Sequence, residues 1–381
     1  MTKTTRADEL IDQARALTGL ERFDSESYRE GLEVLLADMS LADYPGPSDI
    51  SKGMMVGAMA NRLKATAYLD QRPELLQRPI KRPVFVFGIP RTGTTLLNNL
   101  LAADPGRRSA LTWEIDDPVP PPKADALYTD PRALARLEAG VGGHGDQSTL
   151  RYYRSSPIYP NECVFFMYSD FKCMIWESMG RPPAYREWIL QTDMTSVYDY
   201  HKRFLQLLQA DAPGIWNLKM PSHALWLDTL IKTYPDARLV WTHRDPLRAT
   251  GSFCSMLEFA ERHYVGQSDK EWIAFDMPGQ AVEHARRAMD FSERHPGRVI
   301  DVHYAEIMRE PIKTMRSLYA ALGDEFTPEA EHGMRSWLAD NPQGKFGAHD
   351  YNLGEFGLDA ADLRGRFSDY LERYNVEPEG F

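Results

Sequence analysis

The stretch Pro83 to Leu97 constrains this chain more than any other. A β-branched and aromatic run, Val84-Phe85-Val86-Phe87, meets Gly88 and Pro90. It continues through the small-residue turn Arg91-Thr92-Gly93-Thr94-Thr95 into Leu96, Leu97, Leu100 and Leu101. The pattern predicts a strand, a tight loop and a helix. Such a junction aims backbone N–H groups and the positive end of a helix dipole at one point, where an anionic group binds. Gly88 and Gly93 keep the GxxxxG spacing of a nucleotide-binding loop, but Thr94 stands where a triphosphate-binding loop carries lysine, and the cation sits inside the loop as Arg91. Without that lysine to serve β- and γ-phosphates, an ordinary ATPase or kinase is disfavoured.

The whole chain, at 381 residues, is long enough for one large domain or two. A net charge of −11 argues against nucleic acid or an acidic membrane as the main partner. The N-terminal residues lack the apolar core of a signal peptide and no stretch approaches a membrane span, so a cytoplasmic protein without membrane insertion is expected. Cys163, Cys173 and Cys254 have no CxxC spacing, which points to reduced core thiols and no metal site.

Residues 1–80 read as a helical extension packed on the core or on a second subunit, a homo-oligomer being left open. Leu10, Ile11, Ala14 and Leu17 recur at helical spacing, Ser27 to Glu30 has the form of a capping box, and a third helix runs from about Lys52 to Tyr68. Residues 81–381 form an α/β domain. Asp104-Pro105 stops the first helix, and the Arg107-Arg108 pair reads as an exposed helix end or as part of an anion pocket. Residues 123–213 form a largely helical insertion dense in aromatics, mostly core, with a few at an acceptor pocket. Strands then alternate with helices: Ile215 to Leu218, a helix from Leu225 to Tyr234 capped by Ser222, Arg238 to Thr242, and a helix from Leu247 to about Arg262. A further strand covers Arg298 to Tyr304, a helix Thr314 to Leu322, and a last helix Ala360 to Tyr374. Alternation implies a parallel sheet flanked by helices, with ligands at the carboxyl ends of its strands. Arg91, Lys219 and Arg244 all fall just past such ends.

The loop PRTGTTLL resembles the 5′-phosphosulfate loop of the sulfotransferases that use 3′-phosphoadenosine 5′-phosphosulfate (PAPS), in the branch with arginine. Arg244 ends a strand with Ser252 eight residues on, the family's 3′-phosphate pair. The resemblance covers residues 83 to about 375. It implies 5′-phosphosulfate contacts from Arg91, Thr92, Gly93, Thr94 and Thr95, an adenine-stacking Tyr304, and a basic glycine loop over the 3′-phosphate in which Lys345 is the contact. It further implies in-line transfer of a sulfuryl group to a hydroxyl or amine of a small, lipophilic or aromatic acceptor, leaving adenosine 3′,5′-bisphosphate. Arg91 and Lys219 would stabilise the developing charge, and no metal is needed. Two residues compete as general base: Glu114, by its place after the loop, and His223, by its place after Lys219. The alternatives are a carbohydrate acceptor, or a P-loop kinase-like phosphotransferase. For the latter, His243-Arg244-Asp245 imitates a kinase catalytic loop but Thr250 replaces its asparagine.

Overall fold

The computed structural model describes residues 6–39, 47–140, 156–179, 182–342 and 353–379. Five parallel strands are arranged around the run that opens the loop. β1 (Val84–Gly88) lies between β3 (Ile215–Lys219) and β4 (Arg238–His243), with β2 (Arg107–Ser109) outside β3 and β5 (Val299–His303) outside β4. All five residues of β1 are buried, the continuous apolar pattern of a strand covered on both faces. The register sets Val86 opposite both Lys219 and Val240, so the loop after β1 emerges between the ends of β3 and β4. That is a topological switch point.

Two cores flank the sheet. Val84, Val86, Leu97, Leu100, Val240 and Leu318 pack on one face. On the other, Phe85, Phe87, Trp216 and Trp241 share a larger cluster with Leu10 and Leu32 of the N-terminal helices and with Phe166, Phe171, Trp176 and Tyr185 of the insertion. Most aromatics of the insertion are therefore core. The extension is tied to the insertion by Arg62, whose fully buried guanidinium donates to Asp24 and Asp170, each at 2.6 Å, and to the Ser169 carbonyl at 3.1 Å.

Several elements depart from the sequence reading, each for a local reason. Ser27 does not cap its helix, Ser27–Asp38; its hydroxyl donates to Asp170 instead. The third helix is longer, Asp49–Asp70, because the Ser48 hydroxyl accepts the Ser51 N–H at 3.1 Å. Arg107 and Arg108 are neither exposed nor in an anion pocket. They form the short edge strand β2, Arg107 pairing with Asp324 at 2.5 Å and Arg108 with Glu114. After β3 the chain makes a 3-10 turn, Pro221–Leu225, before the helix Leu227–Thr233, and Ser222 meets His284 rather than capping. Helix Lys270–Arg294 was hidden in the sequence by its internal Pro278, and the last helix is broken at Phe367 into Ala360–Arg366 and Ser368–Tyr374. No described helix is long and apolar enough to cross a membrane.

Replacing Arg62 by methionine removes the cation from the fully buried Asp170 and leaves Asp24 to Arg203, 4.0 Å away. The expected loss is about 3–5 kcal/mol in urea unfolding, because a carboxylate stays desolvated and unpaired. A loss below about 1 kcal/mol would show that the network is not holding the extension.

Acid sensitivity follows from His284. Burial lowers its pKa to about 4 against the opposing hydrogen bond to the Gln280 carbonyl at 2.7 Å. Between pH 6.5 and 4 the unfolded chain takes a proton there that the folded chain does not, so stability falls on acidification, by about 3 kcal/mol for a shift of this size. Stability measured across that window should decline less steeply in His284→Gln.

Candidate active site

The loop after β1 is held from beneath. The Thr92 hydroxyl donates to the Ile89 carbonyl at 2.7 Å and meets the Thr242 hydroxyl at 2.8 Å, so this fully buried side chain shapes the loop from within. A Cβ on Gly88 would come within 2.9 Å of Thr92 and Thr242. Gly93 has φ +93°, a left-handed conformation natural to glycine, and caps the helix Thr94–Ala102. A Cβ there would strike the Tyr304 ring at 2.5 Å. The strand, tight loop and helix expected from the sequence are thus in place, with the loop backbone running into the helix N-terminus.

Arg91 also has a left-handed backbone, φ +73°, and its Nε donates to the Ser252 hydroxyl at 3.0 Å. Two residues 161 positions apart, assigned by spacing to opposite ends of one ligand, thus touch. Ser252 lies in the helix Pro246–Tyr264, which starts at the end of β4 and is capped by the Asp245 carboxylate accepting the Leu247 N–H at 3.0 Å. That buried carboxylate also accepts the Glu379 N–H at 2.8 Å, so Asp245 is occupied in holding backbone. Arg244 stacks on the Tyr304 ring, 4.3 Å from its centre, and Tyr304 in turn covers Gly93. The guanidinium grips the Glu379 carboxylate through two bonds of 2.8 Å each, showing that this position takes an anion in a forked geometry.

Lys219 is the last residue of β3 and is buried to 1% exposure. Its ammonium donates to the Thr95 hydroxyl at 3.2 Å and to the Glu162 carboxylate. Burial lowers its pKa, against the raising effect of Glu162. Glu162 was not anticipated from the sequence, where it lies in the aromatic insertion 57 positions from its partner with no motif around it. Its neighbour Cys163 donates its backbone N–H to the Lys219 carbonyl at 2.9 Å, which fixes the insertion against the end of β3.

The two anticipated bases stand differently. Glu114 is fully buried; one oxygen accepts the Leu111 N–H at 2.7 Å and the other pairs with Arg108, closing the start of its own short helix, Thr112–Asp116. His223 is also fully buried, its Nδ1 2.8 Å from the Tyr198 hydroxyl and its ring edge-on to Phe85, and burial drives its pKa down to about 3. The Glu162 side chain, by contrast, is 17% exposed. Lys345 falls outside the described residues.

The chain is 35% identical to sulfotransferase STF9 from Mycobacterium avium, whose crystal structure superposes with a TM-score of 0.89 over 100% of this chain and 99% of that one. It is 28% identical to sulfotransferase STF1 from Mycobacterium tuberculosis, with a TM-score of 0.84 over 97% and 100% of the two chains. Over 318 residues it is 21% identical to the omega-hydroxy-beta-dihydromenaquinone-9 sulfotransferase Stf3 of Mycobacterium bovis, covering 77% of this chain and 75% of that protein. Residues 83–328 match the profile of the sulfotransferase family. With the family profile matched over most of its length and a sulfotransferase 35% identical across the whole of it, the chain belongs to the sulfotransferase family.

Proposed function

We propose that the protein moves a sulfuryl group from PAPS to the hydroxyl of a lipophilic small molecule, with Glu162 as general base. The observation that carries this reading is the line Thr95, Lys219, Glu162, which joins the anion cradle to a partly exposed carboxylate through one buried ammonium.

The residues present fit this donor. Arg91, Gly93, Thr94 and Thr95 would hold its 5′-phosphosulfate at the helix N-terminus. Arg244 and Ser252 would hold its 3′-phosphate, the Glu379 carboxylate being a stand-in anion at the first of them. Tyr304 would lie beside the adenine. The donor supplies an activated sulfuryl group with adenosine 3′,5′-bisphosphate as leaving group.

The protein's share is positioning, charge stabilisation and proton transfer. As the acceptor oxygen bonds to sulfur and the bond from sulfur to the bridging oxygen breaks, Lys219 and Arg91 neutralise charge growing on that oxygen. The acceptor hydroxyl loses its proton to a Glu162 oxygen. Glu162 suits this task better than Glu114, both of whose oxygens are engaged in a fully buried cap, and better than His223, whose ring is sealed among aromatics. Glu114 then fixes β2 and the following segment, and His223 supports β3 from behind. The kinase-like alternative weakens, because Asp245, the carboxylate of the His243-Arg244-Asp245 run, is spent on a helix cap and on the C-terminal segment. A lipophilic alcohol is favoured over a sugar because Stf3 is named for a hydroxylated menaquinone, a lipid alcohol.

Calorimetric titration with adenosine 3′,5′-bisphosphate should show one site per chain and far weaker binding of AMP. Arg244→Ala should weaken the bisphosphate by about tenfold to a hundredfold, the loss of a charge-assisted contact. Glu379→Gln should strengthen it, since the carboxylate competes for the same guanidinium. Equal affinity for AMP and the bisphosphate would sink the donor assignment.

Sulfation of a panel of lipophilic alcohols, with PAPS, tests the base. Glu162→Gln is expected to lower kcat by about a hundredfold to ten-thousandfold with bisphosphate affinity kept. Glu114→Gln is expected to act mainly on thermal stability. The reverse pattern would return the base to Glu114.

A further inference from the structure

Behind the end of β3, on the side away from the anion cradle, three side chains meet that the transfer reaction does not use. Cys163 opens the short helix Val164–Met167, His201 lies in the helix Thr195–Leu208, and His223 lies in the turn Pro221–Leu225. Each is at most 1% exposed. The cysteine sulfur and one ring nitrogen of each histidine all lie within 4.8 Å of one another.

Hydrogen bonding leaves this cluster unfinished. His201 Nδ1 is 2.6 Å from the Tyr234 hydroxyl, and His223 Nδ1 is 2.8 Å from the Tyr198 hydroxyl. The Nε2 atoms of both rings are buried and have no hydrogen-bond partner among the described residues. A buried ring nitrogen without a partner costs about 1–3 kcal/mol. Phe85 and Phe166 pack against the rings, with centroids 5.8 Å and 4.7 Å from that of His201, leaving a dry, aromatic surround.

We propose that Cys163, His201 and His223 bind one soft d10 metal cation, Cu(I) or Zn(II), through the cysteine sulfur and the two histidine Nε2 atoms. Thiolate and imidazole are the ligands such cations select. Binding replaces the S–H bond by a sulfur–metal bond and releases one proton per ion. Metal–ligand bonds of about 2.0–2.3 Å require the three donor atoms to draw in by roughly 1 Å, a side-chain adjustment. Each imidazole has its Nδ1 anchored by a tyrosine hydroxyl, the outer contact that orients a ligating histidine. One thiolate and two neutral imidazoles make a neutral complex with Cu(I) and a singly positive one with Zn(II). A fully buried site and three ligands favour the former. In either form the ion staples the segment bearing Glu162 to the turn after Lys219. This reverses the expectation, drawn from cysteine spacing, of inert thiols and no metal.

The test uses the full chain, purified with reductant and stripped with chelator, then given one equivalent of Zn(II), or of Cu(I) without oxygen, and desalted. About one ion per chain should be retained, with X-ray absorption showing one sulfur and two nitrogen neighbours. Cys163→Ser should abolish retention while Cys173→Ser and Cys254→Ser keep it, and Tyr234→Phe should weaken binding by about tenfold to a hundredfold. The absorption measurement on the unmutated protein decides the matter even if a variant fails to fold. Negligible retention of both ions, retention unchanged in Cys163→Ser, or a shell without sulfur would overturn the proposal. The better-retained ion identifies the metal.

Discussion

A buried ammonium at the end of β3 is the constraint around which the site is assembled. Lys219 is almost without solvent, so its charge must be met by protein groups, and Thr95 and Glu162 meet it. That requirement pulls three separate pieces together: the loop after β1, the end of β3, and the aromatic insertion that carries Glu162. The Cys163 N–H to Lys219 carbonyl bond continues the sheet's own hydrogen bonding into the insertion and keeps the carboxylate beside the ammonium.

On the other side of the loop the same logic operates with arginine. Tyr304 lies between Gly93 and Arg244, so the ring that limits the loop to glycine also supports the guanidinium. Arg244 is paired through both Nε and Nη2 with Glu379, and Arg91 donates to Ser252. A planar donor fork facing a carboxylate presents the same geometry to a phosphate. The C-terminal segment therefore lies against that fork, held there by the Glu379 N–H to Asp245 bond.

The helical parts serve rigidity. Arg62 joins the N-terminal extension to Asp170 in the insertion, and both share the cluster that covers Phe85 and Trp216 of the sheet. The described residues of the N-terminal helices and of the insertion thus pack as one wall against the sheet, although the chain separates them. The cluster of Cys163, His201 and His223 lies within this wall, directly behind the strand end that bears Lys219.

How much of this could be read in advance depends on the range of each interaction. The strand, loop and helix around Gly88 and Gly93 rest on neighbours within about fifteen positions, and β-branched residues, glycines and leucine spacing report them directly. The positions of Arg91, Lys219 and Arg244 at one sheet edge followed from alternation of strands and helices, a local pattern with a global consequence. β2 was missed because its arginines look like surface residues and are buried by distant partners, Asp324, Glu114 and Trp216 among them. Glu162 was missed because its partner is 57 positions away, and Glu114 drew attention as a carboxylate near the loop although its charge closes a helix. Sequence alone thus determined the loop, the sheet and the three cations. Only the tertiary structure decided which carboxylate faces them and which cysteine meets two histidines, because a buried charge or lone pair is answered by whatever the fold brings near, without regard to spacing in the chain.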